Sequence, residues 1–160
     1  MSAGVLDRIR RLLDEKHAVY RVVDHLPTRT SEESAAARGE PLDVGAKALL
    51  LKTDDVFRLF ILCADLGLDS GAIRKQLGVK KTRFATPEEL LELTGLVPGS
   101  VPPFGEPVLP FELYADDQIG VRHDRVAFNA GSLTTSIILS AVDWQRIANP
   151  QRFTFAKAKE

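Results

Sequence analysis

Between Val97 and Pro110 the chain carries five prolines and two glycines in 14 residues. No regular helix or strand can run through such a segment, because proline fixes φ and has no amide hydrogen to give to a ladder. The chain must therefore cross its own fold here as a stiff irregular loop, with short regular elements on either side. Val5, Leu6, Ile9, Leu12 and Leu13 fall at helical spacing, with charges on the opposite face. Val19–Val23 is a short β-rich run. Thr30-Ser31-Glu32-Glu33 has capping-box form and Gly39 supplies a stop, which places a short helix between them.

Two strand-like runs follow, Ala48–Lys52 and Val56–Cys63, parted by the turn Thr53-Asp54-Asp55. Asp69 or Ser70 can cap a helix ending at Gly78. Thr86-Pro87-Glu88-Glu89 combines an N-cap, a proline at the first helical position and a glutamate three residues past the cap, and Gly95 ends that helix. After the proline-rich loop, Asp116 and Asp117 read as turn residues. Arg125–Phe128 and Thr134–Leu139 read as strands, and Ser140-x-x-Asp143 opens a last helix carrying Val142, Trp144 and Ile147. Phe153 and Phe155 alternate as one final strand. Hairpins and helices mix without a βαβ repeat. The expected class is α+β, a mixed and mostly antiparallel sheet with flanking helices, in one domain spanning 1–160.

Composition narrows the function. With 21 basic and 22 acidic residues the net charge is −1, so gripping a long nucleic-acid track is disfavoured and any contact should have a small footprint. No stretch reaches the ~18 apolar residues of a membrane span, and no apolar signal segment follows Arg8, Arg10 and Arg11. The expected location is cytoplasmic. Cys63, the one cysteine, lies in an apolar run and reads as a small buried hydrophobe. His17, His25 and His123 lack metal-ligand spacing, so neither a metal nor a cofactor is expected. A G-x-S-x-G elbow is also missing.

Four ordered segments, covering about Ala18 to Ile147, resemble the prolyl-tRNA synthetase editing domains and their free-standing YbaK-like relatives. They are His25-Leu26-Pro27 leading into Thr30–Glu33; Gly45–Lys52; Ala85–Leu90 continuing through Thr94-Gly95 to Gly99–Gly105; and Phe128–Ser132. The resemblance implies a trans-editing aminoacyl-tRNA deacylase, a carboxylic ester hydrolase that removes a wrong amino acid from tRNA. The implied substrate is tRNAPro carrying alanine, cysteine, serine, threonine or 2-aminobutyrate. Lys47 matches the family's invariant lysine, and Gly99 to Pro103 matches its G-x-x-x-P loop. In the alanine-specific branch the residue after the lysine is typically Asn; here it is Ala48, which leaves the amino acid open.

An aminoacyl ester is already activated, so a protein need only hold it, place water and stabilise the oxyanion. Lys47, at the start of an apolar strand, can supply a compact cation to a phosphate, a ribose or the ester carbonyl. Gly99 and Pro103 would complete the catalytic set, their loop offering outward amides and carbonyls. Thr30, His25, Ala48, Ser100, Val101, Pro102, Asn129, Ala130 and Gly131 are the substrate-binding candidates. For each there is a plainer role: a cap for Thr30, a strand-end histidine for His25, a connecting turn for Asn129 to Gly131. The expected partner is the tRNA 3′ acceptor end, with delivery by prolyl-tRNA synthetase or an elongation factor. The other reading is a non-catalytic module that binds the aminoacyl-tRNA end or an aminoacyl-adenosine-like ligand.

Overall fold

The computed structural model describes residues 4–159. Helix α1 (Val5–Glu15) buries Val5, Ile9, Leu12 and Leu13, the stripe set by its sequence spacing. Strand β1 (Tyr20–Asp24) follows, then α2 (Ser31–Arg38). Thr30 caps α2 by accepting from the Glu33 amide at 3.0 Å, while the Glu33 carboxylate accepts from the Arg29 amide at 2.8 Å. A short 3-10 turn, Leu42–Val44, delivers the chain to the hairpin β2 (Ala46–Thr53) and β3 (Val56–Cys63), turning at Asp54-Asp55 as expected.

The hairpin is the centre of a five-stranded sheet ordered β5-β2-β3-β6-β9, with β5 at Thr82–Phe84, β6 at Leu113–Asp116 and β9 at Gln151–Phe153. Along β3, Leu59, Ile61 and Cys63 face the main core with α1, whereas Phe60 and Leu62 face a second core under α3 (Ser70–Leu77). Burial on both faces explains why Leu59–Cys63 is continuously apolar rather than alternating, and β3 pairs in parallel with β6. The Cys63 thiol lies in this interior and is pushed up by burial.

A second sheet, β1-β8-β7, uses β7 (Arg125–Asn129) and β8 (Thr135–Ser140). Helix α4 (Pro87–Thr94) carries the complete capping box at Thr86 and Glu89. Helix α5 (Ala141–Ala148) is capped by Ser140 and buries Trp144, but Val142 points to solvent, 77% exposed. The class is α+β with mixed, mostly antiparallel pairing, distributed over three sheets rather than one.

The C-terminus corrects two expectations. Phe153 and Phe155 do not share one strand: β9 stops at Phe153, and β10 (Ala156–Ala158) pairs with β4 (Leu66–Leu68). The cause is Asp116, which is not a turn residue but a fully buried one at the end of β6, the turn beginning at Asp117. Its carboxylate accepts from the amides of Phe155 and Ala156, each at 2.8 Å, and of Gln118 at 2.9 Å. Those bonds break the ladder at Phe155 and redirect the chain toward β4.

Candidate active site

At the start of β2 the two larger sheets approach each other, with Gly45 bridged to Ala127 of β7. A Cβ on Gly45 would stand 3.0 Å from the Ala64 methyl and 3.1 Å from the Leu42 carbonyl, so a side chain there would have to push these neighbours back by a few tenths of an ångström. Beside it lies a cavity of about 180 Å³. Lys47 and Ala48 form one wall, the first turn of α2 with Thr28, Thr30 and Ser34 another, and Gly99, Val101 and Asn129 a third. The lysine and the glycine–proline loop, 52 residues apart in the chain, thus share one cleft.

Lys47 is half-buried, and burial is the main reason its pKa falls to about 8. A second ammonium, Lys159, lowers it further, against the smaller opposing fields of Asp65 and Glu32. Lys159 arrives by topology alone: β10 pairs with β4, and the Lys159 Nζ then donates to the Ala64 carbonyl at 3.3 Å. Nothing in the alternating lysines and alanines of the C-terminus marks it in the sequence.

Gly99 has φ 89°, a left-handed conformation that side chains disfavour. Its carbonyl accepts from Asn129 Nδ2 at 2.8 Å, and the same amide reaches Ser34 Oγ at 3.3 Å. Ser136 Oγ donates to Asn129 Oδ1 at 3.1 Å, which fixes the amide orientation, and His25 Nε2 lies 2.9 Å from that hydroxyl. His25 thus stands behind Asn129 rather than in the cavity wall.

Ser100, Pro102, Pro103, Ala130 and Gly131 do not line the cavity. Ser100 closes its own turn by donating to the Val97 carbonyl at 2.7 Å, and its carbonyl receives the Gly131 amide at 2.9 Å. The Pro102 carbonyl accepts from the Phe104 amide, and the Pro103 carbonyl accepts from Trp144 Nε1 at 2.9 Å. Ala130 is fully buried, and a Cβ on Gly131 would meet Val5 Cγ1 at 2.7 Å. These five residues hold the loop and α1 in place behind the wall.

Two features besides Lys159 escaped the sequence reading. Thr28 and Ser34 hydroxyls pair at 2.7 Å, forming a polar side to the cavity. Arg38, buried in the wall and held by Nε on the Ser34 carbonyl at 3.0 Å, leaves Nη1 without a partner among the described residues. Burial lowers its pKa to about 10. Among the described residues, no cluster of three His, Cys, Asp or Glu suited to a metal ion occurs, and no helix is long and apolar enough to cross a membrane.

The hydroxyls of Thr28, Thr30 and Ser34 bond to one another, to a backbone amide or to Asn129, and to no histidine or carboxylate among the described residues. An activated side-chain nucleophile needs such a base within reach. The cavity thus sets the Lys47 side chain beside the carbonyl-bearing Gly99 loop, with none of these hydroxyls paired to an activating base among the described residues. Residues 25–147 match the aminoacyl-tRNA editing domain. The chain is 38% identical over 155 residues to the multifunctional Ser/Thr-tRNA deacylase ProXp-y of Escherichia coli K12, covering 94% of this chain and 92% of that protein. It is 26% identical over 148 residues to the prolyl-tRNA editing protein ProX of Acetoanaerobium sticklandii, covering 89% and 90%. A solved structure described as a candidate trans-editing enzyme for prolyl tRNA synthetase superposes with a TM-score of 0.82 at 25% identity, over 99% of this chain and 100% of that one. The chain belongs to the aminoacyl-tRNA editing domain family. It is a trans-editing deacylase of misacylated tRNA.

Proposed function

We propose that the amino acid removed is serine or threonine, cleaved by water from the terminal ribose of tRNA, with tRNAPro among the carriers. The observation that carries this reading is the Thr28–Ser34 hydroxyl pair on the cavity wall. A hydroxyl-bearing side chain can exchange hydrogen bonds with that pair, whereas an apolar one of similar size only covers it. The identity to a Ser/Thr-tRNA deacylase supports the same choice, and the prolyl-editing relative supports tRNAPro. At about 180 Å³ the cavity is smaller than the roughly 300–1,000 Å³ of sites that engulf whole drug-sized ligands. It suits the aminoacyl group, with the ribose at its mouth.

In this mechanism Lys47 directs its ammonium at the ester carbonyl and stabilises the oxyanion as water adds. The Gly99 carbonyl retains a lone pair beyond its bond to Asn129, and takes the α-ammonium of the substrate. Asn129, steadied by Ser136 and His25, keeps that carbonyl aimed at the cavity. Ala48 and Val101 supply the apolar part of the wall. Delivery by prolyl-tRNA synthetase or an elongation factor in the cytoplasm fits a reaction that follows aminoacylation.

Replacing Thr28 by valine and Ser34 by alanine together tests the specificity. The ratio of kcat/KM for Ser-tRNA over Ala-tRNA should fall about tenfold, one hydrogen bond's worth of ~1.4 kcal/mol. An unchanged ratio would remove the hydroxyl pair from the account.

The working form of Lys47 is the cation, and its pKa lies near 8. The enzymatic rate, corrected for spontaneous ester hydrolysis, should therefore decline as pH rises through about 8. Lys159→Ala withdraws a neighbouring positive charge, raises the Lys47 pKa and moves that decline to higher pH. A corrected rate that climbs through the same interval would make Lys47 a neutral base instead.

A further inference from the structure

The near-neutral net charge conceals a local concentration of cations at the other end of β2 from Lys47. An open groove there is lined by five cations, Lys52, Arg74, Lys80, Lys81 and Arg83, and two carboxylates, Asp54 and Asp55. We propose that this groove binds the phosphodiester backbone of the tRNA acceptor stem, as a second contact separate from the editing cavity.

Three observations carry the assignment. Most of the positive charge is left uncompensated: among the described residues no carboxylate forms an ion pair with Lys52, Arg74, Lys80 or Lys81, although Arg74 donates to the Ser70 and Thr82 hydroxyls at 3.2 and 3.4 Å and Lys52 lies over the Phe57 ring, and Arg83 is paired with Glu89 at 2.7 Å. The sheet register also gathers them: Lys52 and Arg83 are direct cross-strand partners on β2 and β5, a like-charge pair whose repulsion Glu89 relieves by its two bonds to the Arg83 guanidinium. Finally, one of the groove's two carboxylates, Asp54, is tied to the backbone. Asp54 Oδ1 accepts from the amides of Lys80 and Lys81 at 3.1 and 2.9 Å, and the Asp54 amide donates to the Lys81 carbonyl at 2.8 Å. The hairpin turn thereby pins the α3–β5 loop, and with it the backbone from which both lysine side chains project.

Lysine ammoniums on a rigid frame are point charges suited to phosphates and indifferent to base sequence. Lys47 and Lys52 are five residues apart on one extended strand, about 17 Å at ~3.3 Å per residue, and the odd interval sets them on opposite faces of the sheet. The groove is thus a contact apart from the cavity, reached around the sheet edge rather than along the face that carries Lys47.

The test uses Lys80→Glu/Lys81→Glu and the milder Lys80→Gln/Lys81→Gln, neither of which touches the cavity. Deacylation is compared on full-length Ser-tRNA and on a short aminoacylated oligonucleotide comprising the single-stranded 3′ end alone. Affinity for uncharged tRNA is measured by fluorescence anisotropy across a salt series. On full-length tRNA the charge reversal should raise KM at least tenfold with kcat unchanged, and the glutamine pair severalfold. The slope of log affinity against log salt should shrink by about two, one per lost phosphate contact. On the short substrate both variants should match the unaltered protein. Unchanged tRNA affinity and KM would overturn the proposal and leave the groove to another partner. An equal loss on both substrates would overturn it too, as damage to the fold. Should the unaltered protein bind tRNA through these lysines yet hydrolyse no Ser-tRNA, the groove would stand and the substrate reading would fall.

Discussion

Lys47→Ala is expected to lower kcat/KM for a misacylated tRNA by about a hundred- to a thousand-fold, the usual consequence of removing one oxyanion-stabilising group. The same change should leave the melting temperature at neutral pH unaltered or slightly raised. Burial holds the ammonium at a pKa near 8, so the folded protein keeps this charge against its solvation preference, and a second cation nearby adds to the strain. A residue retained for packing would show the reverse pattern, lost stability with activity falling only in proportion. Lys47→Arg should not restore the rate, because a planar fork cannot occupy the position of a compact ammonium. Steady-state kinetics and calorimetry on the same preparations separate the two patterns.

Trp144→Ala should produce the largest loss of stability. The indole is fully buried in the main core, and its Nε1 donates to the Pro103 carbonyl at 2.9 Å. Truncating a buried tryptophan costs about 3–5 kcal/mol. For a chain of this size that is roughly a 10 °C fall in melting temperature. Trp144→Phe divides the effect: the ring volume largely remains while the buried carbonyl loses its donor, a cost of about 1–3 kcal/mol. Both variants loosen the loop that carries Gly99, so KM should rise before kcat falls. Scanning calorimetry gives the stabilities, and an alanine variant melting with the unaltered protein would disconnect α5 from the loop.

The elements most legible in the sequence were those whose ends carry their own chemistry. Thr86-Pro87-Glu88-Glu89 and Ser140-x-x-Asp143 started helices where expected, because a cap acts over three residues and needs no tertiary partner. The strands β4, β5 and β6, three or four residues each, carry too few alternating positions to show a period. Phe155 misled for a different reason: its strand ends because a carboxylate 39 residues earlier takes its amide.

The cavity was legible in part. Motif resemblance pointed to Lys47, Gly99 and Asn129, and these three do line one cleft. The division between wall and support was not legible: Ser100, Pro102 and Pro103 adjoin Gly99 in the chain, yet backbone hydrogen bonds turn them inward. Nor could spacing reveal Lys159, Arg38 or the Thr28–Ser34 pair, since each depends on which elements the fold packs together. Net charge could not show the lysines and arginines gathered on β2, β5, α3 and the loop before β5, because opposite charges spread elsewhere cancel them in the sum.

The most direct test of the account is single-turnover deacylation of purified Ser-, Thr-, Ala- and Pro-charged tRNAPro by the unaltered protein. The account predicts rapid release of serine and threonine, slower release of alanine, and Pro-tRNAPro left intact. Tight binding of all four with no hydrolysis above the spontaneous rate would contradict it, and would make the cleft a non-catalytic receptor for the aminoacyl end.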